Sequence, residues 1–340
     1  MPPPLVWILA DDRPGNLNQL LGVVEALGWP FETKPIRFGP LARLPNAVVC
    51  ASLLGLTPDA RTALAPPWPD LALGAGRRAA PVLRWIRRRS PGTLVVQLMW
   101  PGSAEGLDLI AVPEHDLVPP RAHLVRTLGA PHRITPTRLR AAAAALAPRL
   151  VDLPRPRIAC LMGGSTRRRR FTSQDAEGLA HRASAMARAC GGSLLVTTSR
   201  RTEAACAVAL AAALDAPHFL HRWRAGGDNP YPGLLGSADA VIVTADSASM
   251  CTEACATGRP VFLATPGDAA PGKLGRLHER LAALGYLRPL GAPWPAAVPP
   301  PLDPASGVAE AIRARLADAP RVEQWGAPSG RAVTAAPAGL

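Results

Sequence analysis

Lysine is nearly absent from this chain of 340 residues. It occurs only at Lys34 and Lys273, so arginine supplies almost all of the 38 basic residues behind the formal net charge of +13. Aromatic residues are scarce as well, at 4%. A nucleic-acid binder is expected to combine a basic surface with stacking aromatic rings or a docking motif. We therefore expect no nucleic-acid partner, whereas a small anionic ligand needs only a few arginines.

Long apolar runs and paired cysteines are also missing. No stretch approaches the roughly 18 to 20 continuous apolar residues that span a bilayer, and the short apolar run at the start has no basic flank. The cysteines form no C-x-x-C pair and no cluster at zinc spacing, so we expect reduced thiols and no metal site. These features predict a cytoplasmic protein that contacts a membrane at most peripherally. The cysteines are Cys50, Cys160, Cys190, Cys206, Cys251 and Cys255.

Short apolar runs alternate with longer segments rich in Ala, Leu and Arg, and Gly or Pro bounds most of them. This alternation is typical of parallel sheets flanked by helices. The sequence predicts strands at 5–10, 32–36, 47–52, 71–73, 93–98 and 107–112, and then at 157–162, 194–198, 218–221, 240–243 and 261–264. It predicts helices at 18–27, 78–89, 136–147 and 305–317. The fold class is therefore α/β with two doubly wound sheets.

The two series of strands predict two Rossmann-like domains. A Pro-punctuated linker, PRLVDLPRPR, places their boundary near residue 150, which gives an N-terminal domain at 1–150 and a C-terminal domain at 151–320. Residues 321–340 show no apolar period and predict a loosely ordered tail. Two such domains in tandem bind ligands in the cleft between them, at the carboxyl ends of their strands.

The strongest local signal is AVIVTADSASMCTEACATGRPVFLATP, which predicts a strand, a short turn, a helix and a second strand. Asp246 or Ser247 can cap the helix, and its first amides suit a phosphate. Glu253 lies four residues after Ser249 on the same helical face and could accept hydrogen bonds from two ribose hydroxyls. The alternative is a capped helix with a solvated Glu253.

A second loop, IACLMGGSTRRRRFTSQD, ends a strand in Gly163, Gly164 and Ser165 before four arginines at 167–170. Glycines after a strand free the backbone to wrap an anion. The loop lacks both G-x-G-x-x-G and G-x-x-x-x-G-K-[ST], so it supports neither a dinucleotide site nor a P-loop. The arginines either reach a phosphate or form a solvated surface.

The remaining candidates follow other strands. In LLVTTSRRTEAA, Ser199 ends a strand, and we predict Arg200 and Arg201 at the start of the next helix, where an anion would offset their charge. In the first half, Asp12 follows the first strand within DDRPGNLNQ. His115 lies between two carboxylates in VPEHD, so it could act as a base or be an ordinary turn residue.

These motifs resemble the mitochondrial fission ELM (elongated mitochondria) family, which contains a plant adaptor and many bacterial relatives. The resemblance rests on TSRRT, on DNPYPGLLGSADAVIVTADSASMCTEACATGRPV, on GGS after the first strand of the second half, and on D-x-R-P-G-x-x-N-Q near the start. It runs from about residue 8 to about residue 290. It implies a GT-B-like fold, in which two Rossmann-like domains face each other as in nucleotide-sugar glycosyltransferases.

The second domain also resembles GT-B enzymes that transfer N-acetylglucosamine in peptidoglycan synthesis. That resemblance implies a nucleoside-diphosphate sugar as donor substrate and no metal or other cofactor. Gly164 and Ser165 would line the diphosphate, Ser247 to Met250 would supply helix amides, and Glu253 would hold the ribose. Arg200 or Arg201 would neutralise the departing diphosphate.

Two functions therefore remain open. In the first, the C-terminal domain binds the nucleotide sugar, and Asp12 or His115 deprotonates an acceptor held by the N-terminal domain. In the second, the chain is a non-catalytic scaffold that recruits a partner protein, as the plant relative recruits a dynamin-related GTPase. Arginines at 77, 78, 84 and 87–89 could place such a scaffold against acidic lipid.

Overall fold

The structure is a computed structural model that describes residues 3–167, 169–265 and 272–318. Two six-stranded parallel sheets follow one another along the chain. Apolar runs such as VWILA and LVVQL are buried on both faces, as expected for strands covered by helices on each side. The tail predicted at 321–340 lies outside the described residues.

The first sheet has the strand order β2-β1-β3-β4-β5-β6. Helices α1 and α4 leave β1 and β3 toward opposite faces of the sheet, so its topological switch point lies between these strands. The strands are β1 (Val6–Ala10), β2 (Phe31–Pro35), β3 (Leu71–Ala75), β4 (Leu94–Leu98), β5 (Leu109–Pro113) and β6 (Leu124–Thr127). The helices are α1 (Pro14–Leu27), α2 (Asn46–Val49), α3 (Pro58–Thr62), α4 (Ala80–Arg89) and α5 (Pro136–Leu146).

The strand predicted at 47–52 is wrong. This segment forms the short helix α2 and a following turn. Asn46 donates side-chain hydrogen bonds to the carbonyls of Arg77 and Pro101, which fixes the start of the helix away from the sheet. Val49 is buried while Val48 is 62% exposed, so this apolar run covers only one side and cannot serve as a central strand.

The second sheet has the strand order β12-β11-β10-β7-β8-β9, which is the Rossmann order when its strands are renumbered from one. Its switch point lies between β7 and β10. The strands are β7 (Arg157–Leu161), β8 (Ser193–Thr197), β9 (His218–His221), β10 (Ala240–Thr244), β11 (Val261–Ala264) and β12 (Leu287–Pro289). The helices are α6 (Ser173–Ala189), α7 (Ala204–Ala213), α8 (Tyr231–Ser237), α9 (Ala248–Cys255), α10 (Lys273–Ala283) and α11 (Pro304–Asp318).

Helices α5 and α11 connect the two halves. Helix α5 packs closely on α8, where a Cβ at Gly233 would approach the Ala142 carbonyl to 2.9 Å. Helix α11 returns to the first half and packs on α1, burying Val308 and Ile312. The boundary near residue 150 falls between α5 and β7, and the domain limits stay a prediction.

The carboxyl edges of both sheets face each other along a seam. Asn18 in α1 reaches Glu253 in α9, and the main chain at Ala130 reaches Thr252. The predicted α/β fold with two facing Rossmann-like domains is therefore confirmed, and the arrangement is GT-B-like. Among the described residues, no helix combines the length and apolar character needed to cross a bilayer.

Candidate functional site

The N-terminus of α9 presents free hydrogen-bond donors at the seam. Ser247, one of the two predicted caps, accepts a hydrogen bond from the Met250 amide at 3.4 Å. The amides of Ala248 and Ser249 donate to no group in the described part of the chain. The buried strand β10 fixes where this helix begins. Unpaired amides at a helix N-terminus carry partial positive charge and suit an anion.

The loop after β7 lies against the same turn. The Gly163 amide donates to the Thr244 hydroxyl at 2.8 Å, and the Gly164 amide donates to the Asp246 carboxylate at 3.1 Å. A Cβ at Gly163 would overlap the carboxylate of Asp246, which explains the glycine without a ligand. The amide of Ser165 has no hydrogen-bond partner in the described chain, while its hydroxyl donates to Glu203 at 2.9 Å.

The loop after β8 brings a guanidinium to this turn. Arg201 Nη2 lies 2.5 Å from Asp246 Oδ2, and Ser199 donates to the Gly163 carbonyl at 2.9 Å. Both arginines precede α7, which begins only at Ala204, so the helix-dipole argument for them is wrong. Arg200 is exposed to solvent. Three loops therefore meet at one carboxylate, Asp246, which the sequence does not identify as their centre.

Glu253 is buried at the seam, with 7% of its surface exposed. Tyr231 donates its hydroxyl hydrogen to Glu253 Oε2 at 2.7 Å, and Asn18 donates to Oε1 at 3.2 Å. Burial raises the pKa of the Glu253 carboxyl to about 7, although both hydrogen bonds act in the opposite direction. The alternative of a solvated Glu253 is therefore wrong. Sequence reasoning missed Tyr231 as its partner, although the tyrosine lies within the DNPYP motif.

His115 lies in a turn at the carboxyl end of β5 and packs against α10. It is 9% exposed, its Nδ1 has no hydrogen-bond partner in the described chain, and its carbonyl accepts from Arg276 at 2.9 Å. Beside it, Lys273 Nζ lies 2.6 Å from Asp116 Oδ1. Burial lowers the pKa of His115, so its imidazole is neutral near pH 7. Because its carbonyl accepts from Arg276 in the second half, His115 lies at the seam.

Asp12 lies at the switch point of the first sheet, and its side chain is 71% exposed. Arg78 Nη2 lies 2.6 Å from Asp12 Oδ1 and 3.6 Å from Asp11 Oδ2. The same guanidinium stacks over the Phe38 ring. Within the described ranges, no hydrogen bond or ion pair joins Asp12 to the second half. The second-half candidates other than the exposed Arg200 thus come together, whereas Asp12 stays at the edge of its own sheet.

A cavity of about 170 Å³ lies beside this cluster, between α6 and the ends of β10 and β11. Thr244, which bonds Asp246, forms part of its wall. Its volume is below the roughly 300 to 1,000 Å³ of pockets that enclose drug-sized ligands. The polar side chains that line the cavity include Gln174, Asp175, Arg182 and Thr265.

In the described part of the chain, no three or more His, Cys, Asp or Glu side chains are grouped so that they could hold a metal ion. The groups that the second half brings to the site are backbone amides, the buried side chain of Glu253 and the guanidinium of Arg201.

Comparison with known proteins assigns the family. The profile of the family described as mitochondrial fission ELM1 matches residues 14–316. The chain belongs to this family. It is 28% identical over 301 residues to the mitochondrial fission protein ELM1 of Arabidopsis thaliana, covering 80% of this chain and 69% of the plant protein. It is 24% identical over 296 residues to an uncharacterized protein of Rickettsia prowazekii, covering 77% and 83% of the two chains.

Solved structures with a similar fold include the UDP-GlcNAc 2-epimerase of Neisseria meningitidis bound to UDP-GlcNAc. The similarity covers 92% of each chain at 12% identity and a TM-score of 0.47.

Proposed function

We propose that this ELM1-family protein binds a nucleoside-diphosphate sugar at the seam between its two sheets. The observation that carries the proposal is that the amides of Ser165, Ala248 and Ser249, all at the carboxyl edge of the second sheet, have no hydrogen-bond partner among the described residues. Their N–H groups would hold the diphosphate. Glu253, one helical turn beyond Ser249, would accept hydrogen bonds from the ribose hydroxyls.

The reaction we propose is transfer of the sugar to an acceptor hydroxyl. The acceptor oxygen forms a bond to the anomeric carbon, while the bond between that carbon and the diphosphate oxygen breaks. The acceptor proton goes to a base of the protein, and the electron pair of the broken bond leaves with the diphosphate. Arg201 and the free amides would stabilise the added negative charge.

His115 is the better candidate for the base. Its imidazole is neutral near pH 7, and its buried Nδ1 has no hydrogen-bond partner in the described chain, so it could take the proton of an acceptor hydroxyl that enters the seam. Asp12 is paired with Arg78 at 2.6 Å at the edge of its own sheet, and it makes no hydrogen bond or ion pair to the second half in the described chain. His115 also lies at the seam, beside the second half.

A non-catalytic scaffold is the second candidate, and one feature of the site favours it. The carboxylate of Asp246 already pairs with the Arg201 guanidinium and accepts a hydrogen bond from the Gly164 amide. The carboxyl of Glu253 already accepts hydrogen bonds from Tyr231 and Asn18. A nucleotide must displace the partners of Glu253 before its ribose can bind. A family member that no longer binds a nucleotide would still keep these contacts, because they provide hydrogen-bond partners for buried polar groups.

The test is a calorimetric titration of the purified chain with a panel of nucleoside diphosphates and their sugars. At about pH 8, above the pKa of about 7, the Glu253 carboxyl is mostly ionised. At that pH we expect one nucleotide to bind with micromolar affinity, and we expect Glu253→Gln to weaken it about tenfold or more, since a neutral amide replaces a charged acceptor. Glu177→Gln, an exposed change of the same type on α6, is the matched control and should leave affinity unchanged.

The outcomes separate the two candidates. Binding that Glu253→Gln weakens and Glu177→Gln does not would support the donor site. Binding that both variants leave unchanged would place the ribose elsewhere. If the whole panel fails to bind, the donor proposal is wrong and the scaffold is favoured.

A further inference from the structure

The segment between β2 and α3 forms a closed loop with exposed aliphatic side chains. We name residues 39–55 the apolar loop. An antiparallel bridge pairs Phe38 with Leu56 at its base, and the Gly39 amide donates to the Gly55 carbonyl at 2.9 Å. Loops whose ends meet in this way form compact surface units.

Hydrogen bonds with other parts of the first half hold the apolar loop in one shape. Arg77 donates to the carbonyl of Leu44 at 2.7 Å and to that of Ala42 at 3.1 Å. Asn46 donates to the Pro101 carbonyl at 3.1 Å. Ala42 and Val49 are buried beneath the loop. The outward residues are therefore presented by a scaffold that is ordered before any partner binds.

The apolar loop exposes several large aliphatic side chains. Twelve large apolar side chains are exposed in the described part of the chain, and four of them lie within these residues. Leu41 is 48%, Leu44 40%, Val48 62% and Leu54 54% exposed. Such clustering marks an interaction surface, whereas single exposed apolar residues do not.

The apolar loop carries positive charge and no negative charge. Residues 37–58 contain no Asp or Glu. Arg43, next to Leu44, is exposed and has no hydrogen-bond or ion-pair partner in the part of the chain that the structure describes. Its guanidinium is therefore free to pair with an anionic group outside the molecule.

We propose that the apolar loop docks on an anionic lipid bilayer. Protein interfaces concentrate their binding energy in Trp, Tyr and Arg, and this loop exposes Leu and Val. Aliphatic side chains enter the boundary between headgroups and acyl chains, while a neighbouring arginine meets anionic headgroups. Exposed aliphatic side chains on the same loop as the exposed guanidinium of Arg43 fit that boundary.

The arginines around α4 are less suited to this role, although the sequence suggests them. Arg77 holds the apolar loop, Arg78 pairs with Asp12, and Arg84 donates to the Ser103 and Glu105 carbonyls. The apolar loop follows β2, so it lies at the carboxyl edge of the first sheet, as the seam does. Docking would therefore hold the seam near the lipid surface. This docking does not depend on the proposed transfer activity.

The test is co-sedimentation with phosphatidylcholine vesicles that contain about one-third phosphatidylserine, at moderate salt. Val48→Ser with Leu54→Ser removes apolar surface and leaves the net charge unchanged. We expect it to lower the partition coefficient about tenfold. The matched control is Val151→Ser with Val208→Ser, whose side chains are 76% and 57% exposed elsewhere on the molecule. It should bind as the wild type does.

Arg43→Gln tests the electrostatic part. We expect it to lower binding several-fold to the anionic vesicles and to leave binding to pure phosphatidylcholine unchanged. The proposal is overturned if the wild-type chain binds neither vesicle. It is also overturned if the loop pair and its control lose binding equally. If light scattering shows a dimer that only the loop pair dissociates, the surface is a contact between copies of the chain, and the membrane proposal is wrong.

Discussion

Replacing Glu253 by Gln should stabilise the protein at alkaline pH. The buried carboxyl of Glu253 accepts from Tyr231 and Asn18, and burial raises its pKa from 4.5 to about 7. The folded chain therefore holds this proton more tightly than the unfolded chain does. The resulting stabilisation is complete below about pH 4.5 and is lost as the pH rises through about 7.

The size of the effect follows from the pKa. One unit of pKa corresponds to roughly 1.4 kcal/mol, so the rise from 4.5 to about 7 represents about 3 kcal/mol. Gln resembles the protonated acid because its oxygen can accept from Asn18 and its amide can donate to the Tyr231 oxygen. The variant should thus match the wild type in acid and exceed it by up to about 3 kcal/mol in alkali.

Urea denaturation at about pH 5 and about pH 8 measures this difference in the free energy of unfolding. Glu177→Gln, at an exposed position on α6, controls for the general effect of removing a carboxylate. If Glu253→Gln gains no stability between the two pH values relative to this control, Glu253 is not a buried neutral acid and the description of the seam is wrong.

Two further predictions concern the loops and the packing. Asp246→Asn should tighten nucleoside-diphosphate binding about tenfold in calorimetry, because it removes a negative charge beside the phosphate position and frees a guanidinium; weaker binding would contradict this. Gly22→Ala should destabilise the chain by about 2 kcal/mol or more in urea denaturation, since its Cβ would overlap the His132 carbonyl. Gly178→Ala, in α6 with open space around it, should be neutral or stabilising by about 0.5 to 1 kcal/mol.

The sequence predicts the central strands because their side chains are buried on both faces, which leaves continuous apolar runs such as VWILA. The strands that it misses are β6 (LVRT) and β12 (LRP), which lie at the edges of their sheets and are short and partly polar. The wrong strand at 47–52 has an equally apolar run. Its apolar side chains belong to a surface loop. The spacing of apolar residues in the sequence does not distinguish such a loop from a buried strand.

The candidate site is predictable only where it is local. Ser247 as a cap follows from its position before a helix. The partners of Glu253 are 22 and 235 residues away, and Asp246 meets Arg201 across 45 residues. Such contacts depend on how the chain folds in three dimensions, and the spacing of residues along the sequence does not predict that arrangement.

The most direct test of the donor site is the amide spectrum of the ¹⁵N-labelled chain titrated with a nucleoside diphosphate and, separately, with the nucleoside alone. We predict that the diphosphate shifts the amide signals of Ser165, Ala248 and Ser249, since their N–H groups, which have no partner in the described ranges, would meet the phosphates. The nucleoside should leave these three signals in place. Saturable binding of the diphosphate that leaves all three unmoved, or no binding at all, would contradict the account.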